Sequence, residues 1–166
     1  MKRAKLPILV LLVGAGTWWL YRVLFPPDET VIRRLLVGAA ETASVQANES
    51  PFDKLGAVNR LVSSCTADIE IFLRIPGIHA NIIKGRDQLR ETVAAMRGTA
   101  KAGEVTLMDI GIDVEPGRSR ATAQFIVRAR WDGATDEVIQ EFKVDLNRAE
   151  GGWKIRRVEP LQSLGL

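Results

Sequence analysis

Three side chains that could perform acid–base chemistry lie close together in the first half of the sequence. His79, the only histidine, follows the turn-forming pair Pro76 and Gly77, and the carboxylates of Asp68 and Glu70 precede that pair. Imidazole and carboxylate groups are common proton donors and acceptors in enzyme sites. A catalytic site would therefore use His79 with Asp68 or Glu70. Since no carboxylate or nucleophile adjoins His79 in sequence, a turn or surface residue is the alternative.

The segment that carries the two carboxylates reads as a strand. In residues 67–75, Ile69 and Ile71 alternate with Asp68 and Glu70, a spacing typical of a half-buried strand. The carboxylates share one face of that strand, opposite the isoleucines. They can pair as acid and base if this face is covered; the alternative is that both face solvent.

Four further strands are predicted between residues 104 and 161. Apolar and polar residues alternate in these segments, and the connectors at 116–117, 132–133 and 151–152 contain the Gly and Pro of tight turns. An antiparallel meander is the expected result. In its first strand the apolar positions change parity, which predicts a β-bulge near Leu107 and Met108.

One face of this sheet is apolar and needs a cover, which we expect from three helices. The first begins at Asp28, which is predicted to cap it, and the second begins at Pro51 with Ser50 as its N-cap. Leu55 belongs to the predicted apolar stripe of the second helix. The third helix covers residues 86–97.

Large apolar side chains are available to line a pocket between the sheet and the helices. Aromatic rings packed in such a position either fill a core or form the wall of an apolar ligand cavity. Both interpretations are open for the five candidate lining residues, which are Phe125, Trp131, Phe142, Trp153 and Met96.

Charge and cysteine content exclude several function classes. Four of the 23 basic residues precede residue 28, which leaves 19 basic against 20 acidic residues in the remainder. A nucleic-acid binder needs a basic excess in its folded part, so we expect no nucleic-acid partner. The single cysteine, Cys65, excludes an internal disulfide and a multi-cysteine metal site. No metal or cofactor is predicted.

The N-terminal segment has the features of a membrane anchor. Residues 6–25 are interrupted by one charge, at Arg22, and a run of about 20 apolar residues spans a bilayer. Basic residues precede the run and acidic residues follow it, which places the N-terminus in the cytoplasm. The alternative is a signal peptide cleaved near Gly16. The chain thus divides into a cytoplasmic basic flank (1–5), a transmembrane signal anchor (6–25), a proline spacer (26–27) and an extracytoplasmic domain (28–166).

The order of elements over residues 28–162 resembles the nuclear transport factor 2-like superfamily, in its SnoaL-like branch. The most specific stretch is ADIEI at residues 67–71, leading through IKGRD at residues 83–87 to Leu89 and Arg90. The resemblance implies an α+β fold, with a cone-shaped, curved antiparallel sheet covered by three helices. In this chain one N-terminal transmembrane helix would precede that domain.

The superfamily contains both enzymes and non-catalytic modules, so the fold alone does not indicate which of the two this chain is. Where the ketosteroid isomerase branch has its general-base Asp, this chain has Ile71. The oxyanion Tyr of that branch has no counterpart, because Tyr21 is the only tyrosine and lies in the predicted membrane segment. The Asp-Arg-Asp set of the epoxide hydrolase branch is not recognisable either. These departures weigh against an enzyme.

We therefore expect a membrane-anchored, extracytoplasmic binding or assembly module. Bacterial envelope systems place this fold behind a single N-terminal span, so the expected location is the bacterial inner (cytoplasmic) membrane, crossed once. Expected partners are the membrane, through residues 6–25, envelope proteins, and a second copy through the outer sheet face, which commonly forms dimers in the resembling family. The alternative is a SnoaL-like enzyme of the isomerase, cyclase or dehydratase type, acting on a small apolar ring compound.

Overall fold

The computed structural model describes residues 26–73, 81–99, 102–131 and 137–161, without the side chains of residues 73 and 81. Within these ranges the chain forms three helices and six strands. The helices are α1 (Asp28–Ala43), α2 (Pro51–Ser63) and α3 (Gly85–Thr99). The strands are β1 (Cys65–Leu73), β2 (Asn81–Lys84), β3 (Gly103–Val114), β4 (Arg120–Trp131), β5 (Val138–Ala149) and β6 (Gly152–Pro160).

The strands form one sheet in the order β2-β1-β6-β5-β4-β3. The predicted meander of the last four strands is confirmed, since β3, β4, β5 and β6 pair antiparallel in sequence order. The expectation of a wholly antiparallel sheet is wrong at one place, because β1 runs parallel to β6. Helix α2 ends beside the start of β6. There the N–H of Ile155 donates a hydrogen bond to the carbonyl of Ser64, the residue before β1, at 2.9 Å.

The core lies between the inner face of the sheet and the three helices. Alternate residues of β4 are buried, as the sequence pattern predicts, and Ala121 and Ala123 lie opposite the buried Leu146 and Val144 of β5. Burial of each large aliphatic side chain stabilises the fold by about 1.5–3 kcal/mol. The largest side chains that are almost fully buried are Ile32, Ile69, Val144 and Leu146.

The helix starts differ in how they are capped. The Ser50 hydroxyl accepts a hydrogen bond from the N–H of Asp53 at 3.2 Å, so the predicted cap of α2 is confirmed. The predicted cap of α1 is wrong: Pro27 holds the N-cap position, and no side chain caps this helix. The Asp28 carboxylate instead binds Arg148 and Trp153 on the sheet, which fastens the start of α1 to the strands beneath it.

Strand β3 contains the predicted bulge, one or two residues beyond the expected place. Its register against β4 shifts between Met108 and Gly111. Asp109 has a φ of 52°, and a side chain with a Cβ enters this left-handed region at a cost in free energy. The bulge restores the apolar residues after it to the inner face, where Ile110 and Ile112 pack against the core.

No helix in the described ranges is long and apolar enough to cross a membrane. The predicted span at residues 6–25 lies outside the described residues.

Candidate functional site

The two candidate carboxylates lie on the outer face of the sheet. Asp68 is exposed and pairs with Arg156 at 3.6 Å, while the half-buried Glu70 pairs with Arg157 at 3.5 Å. The nearby Thr66 hydroxyl, the backbone N–H of Asp68 and the Arg156 guanidinium lower the pKa of the Asp68 carboxyl. Asp68 is therefore ionised at neutral pH and is unsuited to act as a general acid. Of the two positions predicted for these carboxylates, the structure shows the solvent-facing one.

Further charges surround these carboxylates in an open basin of about 410 Å³ on the outer face. The Arg157 guanidinium also binds Glu159 at 3.1 Å and lies over the Phe72 ring, 4.5 Å from its centroid. Lys143 faces Glu159 at 3.8 Å. Ion pairs within and between strands thus neutralise much of the charge on this surface.

His79, the third candidate catalytic residue, lies outside the described residues.

The five candidate pocket residues have three different positions. Phe125 and Trp153 are buried among core residues, and Phe142 is partly buried against them. Trp131, half-buried at the end of β4, lines a groove described below. Met96 has 55% of its surface exposed, so its predicted inward position is wrong. Three of the four aromatic candidates are thus part of the core, which is the first of the two interpretations of the pattern.

Arg97 takes the buried position that the sequence pattern assigned to Met96. It is 3% exposed, and it follows Leu89 and Val93 at intervals of four residues, the spacing of one helix face. Its guanidinium donates to Glu49 Oε2 at 2.6 Å and to the carbonyl oxygens of Thr42 and Ser44. Sequence reasoning missed this residue because it sorted helix positions by apolarity.

Leu55 differs from prediction for a related reason. It is 59% exposed, although it shares the apolar character of the predicted stripe of α2. The buried residues of this helix are Ala57, Val58 and Val62. Apolarity alone therefore does not tell which side chains of α2 face the core.

A groove of about 870 Å³ runs between the C-terminal half of α1 and the first half of β3. Gly103 and Trp131, which pair across β3 and β4, form one end of it. A Cβ on Gly103 would come within 2.7 Å of the Trp131 ring. Glycine is therefore required here for the indole to lie against the start of β3.

The groove combines an apolar centre with charged margins. Val37, Ala40 and Trp131 offer apolar surface, and Glu41, Glu104 and Arg130 supply the charges. Such a site can seat one apolar group and bind polar atoms beside it. Among the described residues, no three His, Cys, Asp or Glu side chains are grouped so that they could hold a metal ion.

Comparison with known proteins identifies the family. The family model of the SnoaL-like domain matches residues 56–159, more than half of the chain, so the chain belongs to the SnoaL-like domain family. A comparison with curated protein sequences found no match.

Solved structures agree with this assignment at the level of the fold. A candidate aromatic ring hydroxylase from Novosphingobium aromaticivorans superposes with a TM-score of 0.64 at 17% identity, over 83% of this chain and 90% of that chain. An NTF2-like protein with a cystatin-like fold from the same organism gives 0.61 at 18% identity, over 93% and 90%. An NTF2-like protein of unknown function from Pseudomonas putida gives 0.62 at 14% identity, over 83% and 96%. At these identities the likeness shows the shared α+β fold alone.

Proposed function

We propose that this chain is a membrane-anchored, extracytoplasmic binding or assembly module, and that the groove between α1 and β3 is its binding site. One observation carries the proposal. Asp68 and Glu70, the described candidates for catalysis, point away from the apolar interior and are each paired with an arginine. Carboxylates held in this way do not converge on an enclosed substrate, which an acid–base enzyme requires.

The sequence of residues 1–27 supports the anchored part of the proposal. Its apolar run is long enough for a bilayer and its flanking charges obey the positive-inside rule. The proposed location is a bacterial inner membrane, with the domain on the outer side. Envelope proteins are the proposed partners, and a second copy could meet the outer sheet face, where Ile139 is exposed beside ion-paired side chains.

An enzyme of the SnoaL-like type is the second candidate function. The observation in its favour is the groove, whose volume of about 870 Å³ and Trp131 wall suit a small apolar ring compound. Two structural neighbours are described as a candidate aromatic ring hydroxylase and a candidate scytalone dehydratase. If the chain has such an activity, unchanged turnover after alanine substitution of His79, Asp68 and Glu70 would exclude these residues as its site.

The anchor is tested by fractionation of the full-length chain from bacterial cells. We expect it to stay with membranes during an alkaline carbonate wash, and a variant without residues 6–25 to be released. Alkaline phosphatase fused to the C-terminus should be active, because it would lie outside the cytoplasm. Release of the full-length chain by the wash, or an inactive fusion, would contradict the anchored topology. A mature N-terminus near Thr17 would indicate the cleaved signal peptide instead.

The binding site is tested by a photo-crosslinking amino acid placed at Val37 of the full-length chain in the organism that encodes it. Val37 lines the groove and is partly exposed, so the substitution should be tolerated. We expect a discrete adduct from position 37. The control position is Leu55, an exposed apolar residue of α2 outside the groove, which should give none. The same adducts from both positions, or none from either, would contradict a binding role for the groove.

A further inference from the structure

Strand β3 lies at one edge of the sheet, so one side of its backbone has no strand beside it. In an antiparallel pair, successive residues direct their N–H and C=O groups alternately toward the partner strand and away from it. Gly103 directs both groups away from β4, because they bond the C=O and N–H of Val45 at 2.8 Å each. Val105 does the same, since its N–H donates to the Ser44 hydroxyl at 3.0 Å. The first two edge positions are therefore occupied by the chain itself.

Leu107 is the next residue with this orientation. Leu107 stays in register with Val127 of β4. Because the direction of the backbone groups repeats every second residue, its N–H and C=O point to the open edge, as those of Gly103 and Val105 do. Among the described residues, no backbone group bonds it from that side. Beyond it the bulge interrupts the edge, and Arg33 donates to the carbonyl of Ile110 at 3.0 Å. The unpaired backbone of Leu107 lies between two occupied positions, and it lines the groove.

We propose that the groove binds an extended polypeptide segment of a partner protein, which pairs through its backbone with Leu107. This inference rests on the proposed function of the groove as a binding site. An open strand edge pairs readily with another extended chain, and in such complexes the backbone bonds supply affinity while alternate side chains supply selectivity. The pairing of Val45 with Gly103 already places one extended residue on this edge.

The lining residues indicate which side chains the segment carries. One side chain of the segment is apolar, because Val37, Ala40 and Trp131 give the groove apolar surface. A neighbouring side chain is basic, since the carboxylates of Glu41 and Glu104 outnumber the single guanidinium of Arg130 along the groove.

The groove is separated along α1 from the segment predicted to be the membrane anchor. Residues 1–25 connect to the start of α1, whereas the groove lies at its C-terminal half. The 16 residues of α1 extend about 24 Å at about 1.5 Å per residue. If residues 6–25 span a bilayer, the groove therefore lies near the end of α1 that is remote from the point of attachment.

The experiment selects peptides from a phage-displayed library of random dodecapeptides, with the full-length chain in detergent as the target. Val37→Arg fills the groove and serves for counter-selection. Leu55→Arg, on an exposed apolar residue of α2, is the matched control. Leu107→Pro removes the edge N–H without a loss to β4, because this N–H faces away from β4. We expect a selected peptide to lose affinity by about tenfold or more with V37R and with L107P, and to bind L55R as it binds wild type.

A scan of N-methylated peptides tests the backbone pairing even if L107P does not fold. N-methylation removes one backbone donor at a time, so affinity should fall at the one peptide residue whose N–H donates to the Leu107 carbonyl. Equal binding to wild type and V37R, a scan in which no single methylation weakens binding, or a library without groove-dependent binders would overturn the proposal. If the cross-link from Val37 persists in that case, the groove binds a partner of other chemistry, such as a small apolar compound. If the peptide selection finds no groove-dependent binder and the Val37 cross-link is also absent, the proposed binding function of the groove is wrong as well.

Discussion

Arg97 shows how one charged residue can organise the end of a helical layer. It is buried at the C-terminal end of α3, where its guanidinium binds Glu49 and the carbonyl oxygens of Thr42 and Ser44. The C-terminal carbonyl groups of a helix lack partners within that helix. Arg97 therefore satisfies the end of α1 and holds the connection to α2 in place. Ser44 belongs to this connection and also lines the groove.

Replacement of this arginine should destabilise the fold strongly. Arg97→Met keeps the apolar stem but leaves the half-buried Glu49 carboxylate without its ion-pair partner and two carbonyl groups without their donor, at a cost of about 3–5 kcal/mol. Arg90→Met is the matched control on the same helix, because the ion pair of Arg90 with Asp87 is exposed; its loss should cost less than about 0.5 kcal/mol. Urea denaturation followed by circular dichroism measures both values. Equal destabilisation by the two changes would contradict a special role for Arg97.

Strand β3 is the element on which both the fold and the groove depend. Its bulge at Asp109 keeps apolar residues on the inner face along the whole strand, although the sequence changes parity. Its first residue, Gly103, pairs with Trp131 of β4 on one side and Val45 on the other. This strand therefore joins the sheet, the connection after α1 and the end wall of the groove.

An added methyl group should destabilise the fold at Gly103 but not at Gly111, the two glycines of β3. Gly103→Ala places a Cβ 2.7 Å from the Trp131 ring, so the indole must move or the strands separate, at a cost of about 1–3 kcal/mol. Gly111→Ala is the control, because its Cβ would meet no atom closer than 3.9 Å. We expect Gly103→Ala to shift the tryptophan fluorescence and lower the urea midpoint, and Gly111→Ala to do neither. An unchanged spectrum for Gly103→Ala would show that the indole does not rest on this glycine.

At the scale of the whole domain, the packing of helices against the sheet buries the side chain of Cys65. This residue begins β1, pairs with Ile155 of β6, and its carbonyl accepts from Arg86 of α3. Burial raises the pKa of the Cys65 thiol, while the Ser64 hydroxyl, Arg86 and Lys154 partly oppose that shift. The folded domain therefore keeps the thiol protonated at pH values where the unfolded chain ionises it.

This difference predicts a loss of stability in alkali. Below the ordinary thiol pKa, about 8.5, both states keep the proton and Cys65 adds no pH dependence. Above it the unfolded chain releases the proton first, so the free energy of unfolding falls as pH rises toward the folded-state pKa. Cys65→Ala lacks this decline, although it is less stable at every pH because of the methyl-sized cavity. Urea denaturation of both proteins between about pH 7 and pH 10 tests this; parallel curves would contradict it.

Local pattern by itself determined much of this protein. Alternation along β4 and the central part of β5 specified which side chains face the core, because the side-chain period of a strand is set by its own backbone. The Ser50 cap, the turns at 116–117 and 151–152 and the parity change in β3 are likewise short-range features, and the outward position of Asp68 and Glu70 follows from their parity. The predicted turn at 132–133 lies outside the described residues. The order of these elements was enough to indicate the SnoaL-like fold, which the family match confirms.

Helix burial, the pairing of β1 with β6 and the groove were decided by tertiary structure, because they depend on contacts between residues far apart in the chain. Which helix positions are buried is set by the neighbouring layer, so Arg97 is covered while Met96 and Leu55 are exposed. The parallel pairing of β1 with β6 depends on where α2 returns the chain to the sheet. The groove exists because Ser44 meets Val105, 61 positions away. Local periodicity holds no information on such contacts, since they form only when the layers pack together.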